Sequence, residues 1–151
     1  MQTSHQPTTT QPTTTQPTQP TMTDFDLRRL DALFERMRRQ VKPPPTLSTL
    51  ELELERAVVV KPQEVPPDVV TMNSQVETVD LDTEERRVLT LVFPASSNFD
   101  EGRVSVLAPL GTALLGCRTG STVSWQTPRG LRRIRVERVV FQPEAAGRFD
   151  L

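Results

Sequence analysis

The chain has 151 residues, room for one domain with appendages, and its formal net charge of −1 provides no global attraction for a polyanion. No apolar run approaches the ~20 residues of a membrane span, and the first residues have neither the basic start nor the apolar stretch of an export signal. A cytoplasmic protein with no membrane contact and no nucleic acid partner is therefore expected, and its single cysteine, Cys117, cannot form an internal disulfide.

Residues 1–22 are almost wholly Thr, Gln and Pro in near-repeats, too poor in apolar surface to offset the entropy of ordering, so a disordered tail is expected. His5, the lone histidine, lies in it without metal-binding company. From Thr23 the pattern changes. Leu27, Leu30, Leu33, Phe34, Met37 and Val41 recur at helical spacing behind a capping-box-like Thr23 and Asp26, and Pro43-Pro44-Pro45 must end that helix. Leu47, Leu50, Leu54 and Ala57 suit a second helix, with Ser48 and Glu51 as its capping box; alternating Leu50, Leu52 and Leu54 would also fit a strand, but Leu and Glu are helix formers. Residues 23–60 thus read as a short antiparallel helical hairpin, a short coiled coil, and the proline-rich residues 61–67 as a stiff linker.

Residues 68–151 read as a β-rich domain. Val69–Met72, Gln75–Leu81 and Val88–Phe93 are candidate strands, with Asp82-Thr83-Glu84-Glu85 as a turn. Val104 and Val106 alternate as a half-buried strand; Pro109 then opens a short helix whose apolar stripe is Leu110, Ala113, Leu114 and Cys117. Gly116 and Gly120 turn the chain into a strand bearing Val123 and Trp125, and Pro128-Arg129-Gly130 turns it into a last strand, Leu131–Phe141. The fold class is α+β: a hairpin of helices, then mostly antiparallel strands around one short helix.

Catalysis finds little support in these residues. Outside the tail there is no histidine and no thiol beside a base, so a nucleophilic triad has no candidate base, and no cofactor or metal is expected. Gly111–Thr119 superficially resembles a phosphate loop, yet Cys117 stands in place of the lysine and Arg118 in place of the hydroxyl. Arg129, Arg132, Arg133, Arg135 and Arg138 form the one basic cluster, best read as a strand's solvent face paired with acids across the sheet.

Ser105, Pro109, Ala113 to Gly116 and Gly120 resemble the C-terminal domain of the bacterial Gre transcript-cleavage factors. With Met72-Asn73-Ser74 before them and Gln142 to Gly147 after, the chain is more similar to the family of regulators of nucleoside diphosphate kinase. The resemblance implies an FKBP-like C-terminal domain after an N-terminal hairpin, and RNA polymerase as partner at the rim of its secondary channel. It implies docking through the turn Leu107, Ala108, Pro109 and Leu110, with Leu107 at the place of a Gre aspartate. Gre factors carry acidic side chains at the hairpin tip to hold a metal ion in the polymerase active site. Here the tip is Gln40 to Thr46, with Lys42, Pro43 and Pro44 at its centre, and has no carboxylate. Its first arm is only about 25 Å long at 1.5 Å per residue. The expectation is a monomeric polymerase-binding regulator that competes with Gre factors without cleaving transcripts. The alternative is an FKBP-like peptide-binding or prolyl isomerase module using Trp125, Phe93, Phe99 and Phe141.

Overall fold

The computed structural model describes residues 19–151, so the expectation of disorder for residues 1–18, His5 among them, lies outside the described residues. Thr21 and Met22, expected in that tail, belong instead to β1 (Thr21–Thr23), which pairs in parallel with β2 (Val58–Val60). Met22 is fully buried, and the Pro20 carbonyl accepts from the Val58 amide at 2.8 Å. One large apolar side chain and a ladder partner far along the chain outweigh the polar composition around them. The strand lies across Gly116, whose φ of +81° favours glycine and whose Cβ, were it present, would meet Pro20 Cβ at 2.5 Å.

Helix α1 (Asp24–Arg38) starts as expected, the Thr23 hydroxyl accepting from the Asp26 amide at 3.0 Å. The connector 39–45 leads to α2 (Thr46–Arg56). This helix begins before Ser48, so the anticipated box of Ser48 and Glu51 does not form: Pro45, with φ −59°, already sets helical geometry, and Glu51 pairs with Arg38 of α1. The helices bury Leu30, Leu33, Phe34, Leu47, Leu50 and Leu54, but not along a private seam. These side chains belong to the same apolar core as Val76, Leu89, Leu91 and Val136 of the sheet, so the pair is not a coiled coil.

The main sheet has the order β5-β4-β3-β7-β6, from β3 (Gln75–Asp80), β4 (Arg86–Val92), β5 (Arg103–Ser105), β6 (Thr122–Thr127) and β7 (Gly130–Phe141). All pairings are antiparallel except β4 with β5. Two register shifts between β3 and β7 add local twist to this curled sheet. Val69–Met72, expected as a strand, is an irregular and fully buried segment. Its backbone is satisfied by the Cys117 carbonyl, which accepts from the Val70 amide at 2.8 Å, and by the Gly116 amide, which donates to the Val70 carbonyl at 2.9 Å. The β-forming residues that suggested a strand here meet backbone partners outside a ladder, apart from one isolated bridge of Val69 with Arg118.

The turn after β3 is built on Asp80, 6% exposed, which accepts from the Asp82 and Thr83 amides at 2.8 and 3.0 Å and from Arg132 of β7. The Arg132 hydrogen bond, helped by the turn amides, holds the Asp80 carboxyl at about 2, below its ordinary 3.8. Since the folded value is depressed, the stability this group confers is complete above 3.8 and is lost as pH falls through about 2. Asp80→Asn should therefore flatten the acid limb of a plot of melting temperature against pH; an unchanged limb would show that other carboxylates set it.

Candidate functional site

After β5 the chain makes a tight turn, the Ala108 amide donating to the Ser105 carbonyl at 3.0 Å and the Leu107 amide to the Ser105 hydroxyl at 3.0 Å. It then enters α3 (Pro109–Leu114), with Pro109 in the first helical position, where its missing N–H costs nothing. The Thr112 hydroxyl donates to the Val106 carbonyl at 2.7 Å, tying helix to turn. Gly111 completes the clamp, since a Cβ at this position would lie 1.9 Å from the Ser105 oxygen. Only a glycine lets the helix press on the backbone it has just left. Leu107 and Ala108 are half-buried, Pro109 is exposed and Leu110 is buried, so the candidate docking residues divide: Pro109 and part of Leu107 face solvent while Leu110 belongs to the core.

The two sets of residues singled out in the sequence come together. Thr46, the first residue of α2, donates its hydroxyl to the Leu107 carbonyl, so the connector with Lys42, Pro43 and Pro44 leads directly to the turn at Leu107. Lys42 and Pro43 are exposed, Pro44 is half-buried, and Val41 is 99% exposed. No carboxylate lies in this connector, and no group of three or more His, Cys, Asp or Glu placed to hold a metal occurs among the described residues.

The hairpin base carries a polar junction that sequence reasoning missed. Asp26, with no exposed side-chain surface, does not return the capping box. It accepts from the Met72 amide at 3.0 Å and pairs with Arg29, whose guanidinium stacks between Phe25 at 4.1 Å and Phe93 at 4.9 Å. Burial pushes the Asp26 carboxyl up, against the pull of the Met72 amide and Arg29. Alongside, the Thr71 hydroxyl contacts Ser74 at 2.8 Å and donates to Glu144 at 2.7 Å; burial raises this carboxyl too. This junction joins α1, the segment before β3 and the C-terminal turn.

Other candidates take structural places. Cys117 lies beyond the end of α3 rather than on its stripe, its thiol donating to the Ala113 carbonyl at 3.1 Å; burial, with Glu53 nearby, pushes it up to about 11 and keeps it protonated. Four of the five arginines of the cluster are paired with acids, Arg132 with Asp80, Arg133 with Asp82, Arg135 with Glu137 and Arg138 with Glu77, as expected for a solvated sheet face, and Arg129 is exposed in the β6–β7 turn. The aromatic residues of an isomerase-like pocket do not converge. Phe93 stacks on Arg29, Phe99 is exposed against Arg87, Trp125 lines a groove beside α2, and Phe141 lines a separate cleft. The peptide-binding alternative is unsupported.

The family described as the GreA/GreB transcription elongation factor C-terminus matches residues 65–140, and the Rnk N-terminus matches residues 21–60, starting at β1. The chain is 41% identical over 136 residues to the regulator of nucleoside diphosphate kinase of Escherichia coli strain K12, covering 88% of this chain and 98% of that relative. The chain belongs to the regulator of nucleoside diphosphate kinase family. This family member is also similar to a solved GreA/GreB elongation factor from Nitrosomonas europaea, with a TM-score of 0.69 and 38% identity over 81% of this chain and 99% of that one. It shares 34% identity over 93 residues with the elongation factor GreA of Azorhizobium caulinodans, covering 62% of this chain and 59% of that relative. The fold is thus that of GreA-like factors, N-terminal helices with a curled, mostly antiparallel sheet. Among the described residues no helix is long and apolar enough to cross a membrane.

Proposed function

We propose that this member of the regulator of nucleoside diphosphate kinase family is a cytoplasmic, non-catalytic transcription regulator. It docks at the secondary-channel rim of RNA polymerase, competes with Gre factors and acts by occupancy. The observation that carries this reading is the turn at Leu107–Pro109: a rigid, glycine-clamped loop that presents an exposed proline within the segment matched to the GreA/GreB C-terminus. The connector beside it has no carboxylate to recruit magnesium, which supports binding without transcript cleavage.

Pull-down of core polymerase, with a Gre factor as competitor, tests the reading. Leu107→Asp should change affinity, in either direction, by roughly tenfold or more, since a charge opposes a desolvated apolar contact yet restores the residue type that Gre factors carry there, and Pro109→Ala should weaken binding by a few-fold through a looser turn. Thr46 accompanies them as a control for the turn's shape: Thr46→Val removes its bond to the Leu107 carbonyl without adding charge. Unchanged affinity in folded Leu107→Asp and Pro109→Ala variants would move the docking surface elsewhere. Cleavage of backtracked transcripts at Gre-like rates would refute the occupancy mechanism.

A further inference from the structure

Gln19 and Pro20, the first described residues, lie at one end of a groove. The Gln19 side-chain amide donates to the Arg56 carbonyl at the C-terminal end of α2 at 3.0 Å, and buried Pro20 lies beside Gly116, just past the C-terminal end of α3. The other end is marked by Thr46 and Pro109, the first residues of the same two helices. Between these ends runs a groove of about 910 Å³, with Pro20, Glu53, Thr46 and Pro109 on the helical side and β6 on the other. Helices on one side and a strand on the other leave a channel for a single extended segment rather than for a folded partner.

Along β6 the channel extends from Thr122 to Gln126, about 13 Å at ~3.3 Å per residue. Its lining carries one charged side chain, Glu53, which pairs with Arg56 at 2.9 Å; the rest is hydroxyl, carboxamide and apolar surface, with half-buried Trp125 among it. Because hydrogen-bonded pairs alternate in the ladder with β7, Thr122, Ser124 and Gln126 turn their amides outward, and among the described residues no turn or loop bond reaches them.

We propose that this groove is the docking site of the chain's own N-terminal segment, with residues 14–18 lying in it and Pro17 against Trp125. Connectivity selects this occupant. The segment is tethered at Pro20, in the groove wall, so its effective concentration is on the order of millimolar and even a weak contact is populated. Composition agrees, since residues 6–18 are only Thr, Gln and Pro and bring no charge to desolvate. Such a sequence favours the extended polyproline helix, whose carbonyls are free to accept from the outward amides and whose proline rings pack on aromatic faces. At three residues per turn Pro17 falls on the same side as Pro20 and ~9 Å beyond it, inside the groove, and residues 14–16 come to Thr46 and Pro109. A composition too poor in apolar surface to build a core suffices for a tethered contact of this kind. Docked there, the segment covers Pro109 and so controls access to the polymerase. That consequence rests on the docking reading above, whereas the contact itself does not.

Trp125 reports the contact without interference, because the chain has no other tryptophan and no tyrosine. The test uses the full chain with Cys117→Ser, which keeps a donor for the Ala113 carbonyl, and a nitroxide on the cysteine of either Gln16→Cys or Thr3→Cys. A nitroxide quenches tryptophan only at close approach, so the label at position 16 should dim Trp125, with recovery when the nitroxide is reduced, and the label at position 3 should dim it far less. Adding Thr14→Asp and Pro17→Asp, which bring carboxylates beside Glu53, should abolish the quenching. Without the labels, the same two substitutions should raise the affinity for core polymerase by roughly fivefold, as expected when a mostly masked site is freed. Equal Trp125 emission for the two labels overturns the proposal whatever the polymerase does. Quenching together with an unchanged affinity in the Thr14→Asp, Pro17→Asp variant confirms the contact and overturns the masking of Pro109. Absence of any polymerase binding refutes the docking reading and leaves the contact standing.

Discussion

Gly111→Ala is expected to destabilise the protein by about 3 kcal/mol or more, at the upper end of what overpacking costs, because the obstacle is backbone and not a movable side chain. The added methyl would lie 1.9 Å from the Ser105 oxygen, 2.8 Å from its carbon and 3.1 Å from Val106 Cα. Relief requires α3 to lift from the turn, and the Ser105 oxygen that must move is the acceptor for the Ala108 amide. Stability and turn shape should therefore fail together. Denaturant unfolding measures the first, and polymerase affinity at a temperature where the variant remains folded measures the second. A variant within about 0.5 kcal/mol of wild type would mean the helix has room that this geometry denies it.

The second large effect is expected at Asp26. Removing its carboxylate in Asp26→Ala leaves the Met72 amide without an acceptor in the interior and Arg29 without its partner. Orphaning a buried donor costs about 1–3 kcal/mol and breaking a fully buried pair about 3–5; Arg29 keeps partial access to water, so about 3 kcal/mol is expected, or roughly 6–12 °C in melting temperature. Asp26→Asn keeps an acceptor for the amide and should recover part of the loss. Because the folded carboxyl titrates above its ordinary 3.8, its ionisation opposes folding, and the penalty grows as pH rises from that value through the folded one. Both variants should therefore lose least, relative to their behaviour at low pH, as pH rises through that window. Equal melting of Asp26→Ala and wild type would remove the junction from any role in holding α1 to the domain.

Local pattern was enough for much of the protein. Apolar residues at helical spacing marked α1 and α2, β-forming residues marked β3 and β4, alternation marked β5 and β6, and proline and glycine marked the turn into β7 and most of the other ends, because these signals act within a few residues of themselves. The residues matching the Gre family also lay in the sequence, and with them the family and the candidate turn. Nonlocal events were not legible there. Nothing near Met22 says that it will be buried beside a strand ending the hairpin, and the capping-box pattern at Thr23 and Asp26 gave no sign that the aspartate would turn inward to the Met72 amide. Gly111 did leave a trace, since a glycine inside so short a helix costs about 1 kcal/mol relative to alanine and so asks for a reason. The reason, a carbonyl pressed against the helix, belongs to tertiary structure. So does the meeting of connector and turn through Thr46 and Leu107, since which polar groups survive in a core is fixed only when distant segments bring their partners.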